Sequence, residues 1–366
     1  MIQNDTKKLL AWYAEVQRDL PWRQTDDPYS VMVSEFMLQQ TTVAAVVPKY
    51  DAWMKRFPTI QALSDSEVED VLYCWSGLGY YQRARRLHSA AQHIVHSGSV
   101  PTTVEGLLEL PGFGSYTAAA VASICFGRPE LAVDTNVIRV LYRYYGLRES
   151  PSERKAHALL RSNMKPAFEW APPGDLNQAL MELGATHCSV KTPDCSSCPI
   201  RTHCCARVCD DGPEAFPSPT LRKPIAKTPG VVLLLELISS REVLLVKGTS
   251  LGLLKDLHQP PILFAGEGNE HPIHRAAEVI AQELESHSKE QRWHFSYGIS
   301  GRRLELDTVH AKLSRETMER FESILCSQDI SHARVSSADL SGQGDRRGLP
   351  ISSLTRRALK KWLENL

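Results

Sequence analysis

Two carboxylic acids stand where a charge is costly. Glu35 interrupts the run Val31-Met32-Val33-Ser34-Glu35-Phe36-Met37-Leu38, and Asp134 follows Leu131-Ala132-Val133. Aliphatic neighbours disfavour the ionised form, so Glu35 is expected to hold a proton and to serve as a general acid. Asp134 fits a second task, meeting positive charge that develops at a sugar carbon. Breaking a glycosidic bond divides labour between two carboxyl groups in this way. An Asp ahead of Thr135-Asn136-Val137 reads equally well as a helix cap.

Four thiols form a second constellation. Cys188, Cys195, Cys198 and Cys204 are spaced C-x6-C-x2-C-x5-C. Thiolates this close can converge on one soft metal centre, either tetrahedral zinc or a 4Fe–4S cluster. Zinc sites commonly show two short knuckles; here only Cys195–Cys198 is short, and the longer gaps suit the larger cluster. Cys205 and Cys209 are surplus to the set. In a chain read as cytosolic, such crowding speaks for metal rather than disulfides.

Three segments could grip a nucleic acid. Leu110-Pro111-Gly112-Phe113-Gly114 precedes a helical run beginning Ser115-Tyr116-Thr117. Gly112 and Gly114 permit positive φ and expose backbone amides. The next helix would aim its free N–H groups and positive dipole end at a phosphate, a helix–hairpin–helix signal. Gly77-Leu78-Gly79-Tyr80-Tyr81-Gln82-Arg83-Ala84-Arg85-Arg86 joins a flexible turn to aromatic faces and to arginines that could neutralise phosphates. Pro21-Trp22-Arg23 offers a flat ring and a planar guanidinium suited to a heterocycle, although Trp22 equally suits a core.

These groups need a scaffold. The 366 residues are enough for two domains, and 42% hydrophobic with 23% charged residues is the composition of a packed globular protein. Lys and Arg total 42 against 42 Asp and Glu, and residues 1–227 are balanced too, at 24 against 24. A uniformly basic nucleic-acid binder is excluded; any phosphate contact must come from a local patch or from backbone amides. No apolar run approaches a membrane span, and the first residues lack the order of a secretory signal, so a cytoplasmic location is expected, nucleoid-associated if the source is bacterial.

From Thr6 to about Ala206 apolar residues recur at helical spacing, broken at Gly/Pro-containing turns, with Ser64 and Thr102-Thr103 as candidate caps. Asp210-Asp211-Gly212-Pro213 and Phe216-Pro217-Ser218-Pro219 read as a linker. Beyond it, Val231–Leu237 and Val243–Val246 flank a turn and signal a hairpin. A helix near Ala276–Leu284, a strand around Leu304–Leu306 and an amphipathic helix over Leu354–Leu363 complete a smaller α+β unit. The expected organisation is a helical domain at 1–209 with a metal-binding loop at 188–204, a linker at 210–228 and a second domain at 229–366.

In this order, the motifs resemble the MutY family of adenine DNA glycosylases, in the helix–hairpin–helix, iron–sulfur group that includes endonuclease III. The resemblance covers roughly residues 6–206. It rests on Leu20-Pro21-Trp22-Arg23, Ser34-Glu35-Phe36-Met37-Leu38-Gln39-Gln40-Thr41, Gly77-Leu78-Gly79-Tyr80-Tyr81, Leu110-Pro111-Gly112-Phe113-Gly114, Val133-Asp134-Thr135-Asn136-Val137-Ile138-Arg139-Val140 and the four cysteines. It implies a mainly α domain of two helical lobes with a 4Fe–4S loop, followed by a Nudix-like module. It also implies base excision repair on double-stranded DNA by a monomer, with adenine opposite 8-oxoguanine or guanine flipped out and hydrolysed from its sugar.

In that scheme Glu35 protonates N7 of adenine, and Asp134 stabilises or traps the oxocarbenium ion, supported by Asn136 and Tyr116. Arg23 and Glu182 contact the extruded base beside Trp22. Gln40, Val43, Leu78 and Tyr80 fill or wedge the duplex, and Gly112 and Gly114 hold backbone. Cys188, Cys195, Cys198 and Cys204 bind the cluster, which is structural. Lyases of the group carry a Schiff-base lysine where this chain has Tyr116, so no strand cleavage is implied.

The second domain departs from the family. Ser296, in His294-Phe295-Ser296-Tyr297, is the implied contact to 8-oxoguanine, with Tyr297 where the family usually has histidine. His258, at the end of a loosely matching Gly252–Pro261 segment, stands where tryptophan is common. The glutamate-rich metal helix of Nudix hydrolases is absent around His274–Leu284. Two rivals to the adenine reading are a related glycosylase for another mismatch, such as thymine opposite guanine, and a non-catalytic DNA-binding iron–sulfur protein.

Overall fold

The computed structural model describes residues 1–148, 153–218, 225–248, 257–264, 273–278, 280, 292–299, 301–336, 340 and 351–364. It divides into two compact units, one of Met1–Ser66 with Gln82–Arg222 and one of Glu67–Tyr81 with Lys223–Leu366.

The first unit is helical. Its order is α1 (Gln3–Val16), a 3-10 turn at Pro21–Arg23, α2 (Pro28–Leu38), α3 (Val43–Arg56) and α4 (Ile60–Ser64). After α5 (Val68–Trp75), which belongs to the second unit, come α6 (Gln82–Ser97), α7 (Val104–Leu108) and α8 (Ser115–Phe126). The series ends with α9 (Thr135–Tyr145), α10 (Glu153–Met164) and α11 (Pro173–Thr186).

Local chemistry sets these boundaries. Asp27 caps α2, its carboxylate accepting from Ser30 N at 2.9 Å, and Pro28 supplies the fixed φ of a first helical residue. Thr103 caps α7 by accepting from Gly106 N at 3.3 Å. Ser64 does not cap the following helix; it closes α4, and α5 starts at Val68 without a side-chain cap. Gly127 and Gly146 end α8 and α9 at φ +61° and +69°, where a side chain would be strained.

Helices α2 and α8 are buried on nearly all sides, which is why their sequences lack a polar face. Helix α9 is amphipathic; Val137, Val140 and Leu141 meet Leu9 of α1, Leu160 of α10 and Leu180 of α11 in one core. The segment entering α9 is fixed by buried Asn177 on α11. Its Oδ1 accepts from Ala132 N at 3.0 Å, and its Nδ2 donates to Glu130 O at 2.7 Å and Ser123 Oγ at 2.8 Å.

The second unit is built on a seven-stranded mixed sheet: β1 (Ala226–Leu237), β2 (Val243–Lys247), β3 (His258–Gln259), β4 (Ile262–Phe264), β5 (Arg292–Ile299), β6 (Arg302–Leu313) and β7 (His332–Val335). The order is β3-β2-β1-β6-β5, with β4 on β1 and β7 on β2. β1 and β2 are antiparallel as the hairpin signal requires, whereas β1 and β6 run parallel from Ala226↔Arg302 to Leu237↔Leu313.

Alternate β1 residues face two cores. Val232 and Leu234 pack with Leu354, Leu359 and Trp362 of α13 (Ser353–Leu363); Leu233 and Leu235 pack with Met318, Phe321 and Leu325 of α12 (Arg315–Ser327). Helices on both faces explain why β1 reads as one apolar run. Its exception, Glu236, is buried and accepts from Arg241 Nε at 3.0 Å, His310 Nε2 at 2.7 Å and Trp362 Nε1 at 3.1 Å.

Residues 67–81 join this unit through Tyr81 OH and Ser76 Oγ, which donate to Ile351 O at 3.1 and 3.3 Å. Of the helix expected at Ala276–Leu284, residues 276–278 and 280 are helical; residues 281–284, like Gly252–Asp256, lie outside the described residues. Among the described residues no helix is long and apolar enough to cross a membrane.

Candidate active site

A cleft of about 960 Å³ opens in the helical unit. Glu35 reaches it from the last turn of α2, Tyr116 from the first turn of α8, and Asp134 and Asn136 from the start of α9. The two carboxylic acids, 99 positions apart in sequence, thus face one space.

Their surroundings differ. Glu35 is buried, and its Oε2 has no hydrogen-bond partner among the described residues. Burial pushes its carboxyl up to about 7; Asp134 pushes the same way, and Tyr116 and Arg23 act against it. Asp134 is the N-cap of α9: Oδ1 accepts from Val137 N at 2.7 Å and Oδ2 from Asn136 Nδ2 at 3.0 Å. Burial raises its proton affinity above the usual range, but these hydrogen bonds and Arg139 oppose the rise. The cap reading and the site reading of Asp134 are therefore compatible. Burial also raises the Tyr116 phenol well above its ordinary value, reinforced by Glu35 and Asp134, so it is a neutral hydrogen-bonding group.

Asn136 is held in turn. Its Oδ1 accepts from Arg139 Nη2 at 2.9 Å, and the same guanidinium donates to Gly184 O at 2.6 Å and Cys188 O at 2.7 Å. Gly184 makes this close approach of α9 and α11 possible, because a Cβ there would meet Asn136 Cβ at 2.7 Å.

Trp22, Arg23, Gln40 and Val43 line the cleft, as do Gly112 and Gly114 of the hairpin loop. Trp22 stacks edge-on against Tyr50 at 5.2 Å. Glu182 stands behind the wall, fully buried, with Arg23 Nη2 at 2.6 Å and Arg18 Nε at 2.7 Å. Burial works against its charge, yet the two guanidiniums more than offset that and hold the carboxyl below its ordinary value. Arg18, a cleft residue, was not singled out in the sequence, where it reads as a surface charge. Gly112 sits at φ +85° with no room for a Cβ, which would lie 2.5 Å from Arg86 Cβ. At the N-terminus of α8, Gly114 meets no such obstacle.

Leu78, Tyr80 and Ser296 belong to the other unit. Leu78 is buried between the positive-φ glycines Gly77 and Gly79, and Tyr80, at φ +48°, is exposed. Ser296 Oγ donates to Glu305 Oε2 at 2.6 Å, and that carboxylate also pairs with His294 and Arg303. The basic run at Arg83–Arg86 is not the uniform phosphate patch expected. Arg83 is buried and donates to backbone carbonyls at the end of α2, whereas Arg86 is exposed.

Cys188, Cys195, Cys198 and Cys204 line one small cavity closed by Val140, Leu183 and Ile200, with Arg143 Nη1 3.3 Å from Cys188 Sγ. Among the described residues no three His, Cys, Asp or Glu side chains are close enough to hold a single metal ion. Burial pushes the Cys198 thiol up to about 12, and Cys188, Cys204 and Cys195 add to the rise. Four thiols spread around a common space, no three of them close enough to share one ion, fit a multinuclear centre better than one zinc ion. Cys205 and Cys209 lie outside that lining.

Residues 33–166 match the family model of the HhH-GPD superfamily base excision DNA repair protein. The human adenine DNA glycosylase is 45% identical over 210 residues, covering 54% of this chain and 38% of the relative. That of Mycobacterium tuberculosis is 45% identical over 198 residues, covering 52% and 64%. Among solved structures, a thermostable thymine-DNA glycosylase is 29% identical with a TM-score of 0.48, covering 54% of this chain and 93% of that one. The chain thus spans between 38% and 64% of the length of these two curated relatives.

The matched stretch, which carries Glu35, Tyr116 and Asp134, is similar to the helix–hairpin–helix domain of the HhH-GPD superfamily. Over about half of its length the chain is similar to curated adenine DNA glycosylases.

Proposed function

We propose that the chain is a monofunctional DNA glycosylase that hydrolyses the N-glycosidic bond of adenine mispaired with 8-oxoguanine or guanine in double-stranded DNA. The observation that carries this reading is Glu35, buried, prone to hold its proton near neutrality, and presenting an unpaired Oε2 in the cleft that also holds Asp134.

Glu35 delivers a proton to N7 of the extruded adenine. The C1′–N9 bond then breaks with its electron pair leaving on the purine, which departs neutral. Asp134, anchored by Val137 N and Asn136, stabilises the cationic sugar carbon or bonds to it. Water adds at C1′ and returns a proton. Trp22, Arg23 and the Arg-bound Glu182 recognise the base, and Gln40, Val43, Leu78 and Tyr80 occupy the duplex around it. Of the last two, exposed Tyr80 is the better placed to meet DNA. Tyr116 offers no amine for a Schiff base, so no strand cleavage accompanies base release.

Cys188, Cys195, Cys198 and Cys204 would hold a 4Fe–4S cluster that stiffens the loop beside α9 and α11. The unit that carries Ser296 would read the oxidised guanine through that hydroxyl, and the chain would act as a monomer in the DNA-containing compartment.

A panel of mismatched duplexes tests the proposal: release of adenine, and not of thymine, supports it. Thymine release opposite guanine without adenine release would favour the other mismatch enzyme.

A further inference from the structure

The end of α2 is closed by a side chain from another helix. Arg83, in the first turn of α6 and buried, donates through Nη1 to the carbonyls of Phe36 at 2.8 Å, Met37 at 3.0 Å and Gln39. Its Nη2 donates to Thr41 Oγ1 at 3.2 Å. The last carbonyls of a helix lack partners inside it and carry the negative end of its dipole, so a cation fixed there is both stabilising and directional.

Between the two anchored points the chain turns through Gln40 at φ +56°, a left-handed value that a non-glycine residue keeps only where its surroundings impose it. Gln39 Nε2 adds a tie to Thr117 Oγ1 of α8 at 3.3 Å. The result is an exposed glutamine at the rim of the cleft, five positions beyond Glu35.

We infer that Arg83 is a positioning residue that, by fixing Gln39–Thr41, presents Gln40 at the mouth of the cleft and so prolongs the extruded state of the target nucleotide. The inference rests on the glycosylase reading. A base in a duplex reaches Glu35 only after an unfavourable exit from the stack, and a side chain held at the mouth governs how readily it returns. Arg83 does not touch the bond that breaks.

Single-turnover release is measured for Arg83→Met on two duplexes, one with adenine opposite guanine and one with adenine opposite an abasic site, where pairing no longer opposes extrusion. Loss of about tenfold on the first and less than about twofold on the second is expected. The fluorescence gained when 2-aminopurine replaces the target adenine should fall in parallel.

Arg83→Lys, which keeps the cation but loses the second arm of the fork, and Thr41→Val, which removes that arm's acceptor, should show the same pattern at about threefold. These two variants decide the matter if Arg83→Met does not fold. Equal losses on both duplexes would overturn the inference and leave Arg83 as a helix cap. Absence of adenine release by the unsubstituted protein would instead overturn the glycosylase reading.

Discussion

Glu35 and Asp134 share one cleft but not one state: each oxygen of Asp134 accepts a hydrogen bond, whereas Glu35 Oε2 accepts none. A buried carboxyl oxygen without a donor favours the protonated form, and a carboxylate that caps a helix is the more easily ionised. In the proposed mechanism this asymmetry makes Glu35 the acid and Asp134 the anion.

The pH dependence of base release follows from it. Glu35 must be protonated, so the rate should fall as pH rises through about 7. Asp134 must be ionised, and its raised proton affinity places the acidic limb above the ordinary aspartate range. A bell-shaped profile of single-turnover rates is expected, with Glu35→Gln losing about a hundredfold or more. A rate that keeps rising above pH 8 would contradict the assignment of Glu35.

Stability should fall over the same pH range. Glu35 ionises near 7 in the fold against an ordinary 4.5, so the folded state binds this proton more tightly. The associated stability is intact below the lower value, declines between the two and is fully lost above the higher one, amounting to about 3 kcal/mol. Glu35→Gln should therefore melt on the order of 5–10 °C higher than the natural chain at pH 8, and at nearly the same temperature at pH 4. Thermal unfolding at the two pH values checks this.

Gly184→Ala separates geometry from binding. Its new Cβ would press on Asn136, the partner of Asp134, without entering the cleft. We expect release to slow by about tenfold while affinity for mismatched DNA changes by less than about twofold, read by single-turnover rates and by equilibrium binding.

The thiol cavity predicts a brown protein containing iron and acid-labile sulfide in equal amounts. Cys198→Ser should lose the visible absorption and weaken the contacts that Arg143 makes with the backbone of Ser189 and Val190. Colourless protein carrying zinc would show that the four thiols hold a different metal.

Much of this site was legible because carboxylates in apolar runs, glycines at turns and clustered thiols are local signals. Glu35, Asp134, Gly112 and the four cysteines all announce themselves within a few residues. Partners distant in sequence do not. Arg18 looks like any exposed charge until it meets Glu182, and Asn177 gives no sign that it holds the segment entering α9. Arg83 sits in a basic run that suggested phosphate contact, yet burial commits it to α2. The hairpin of β1 and β2 was visible from its turn, but the parallel partner β6 lies far along the chain, with no short-range signal of the pairing. The same holds for residues 67–81, whose tie to Ile351 depends on two hydroxyl groups.

The most direct test is the release of free adenine from a duplex with adenine opposite 8-oxoguanine, compared between the natural chain and Glu35→Gln at pH 6. The account predicts rapid release by the first, almost none by the second, and no strand nicking by either. Equal release by both proteins would contradict it.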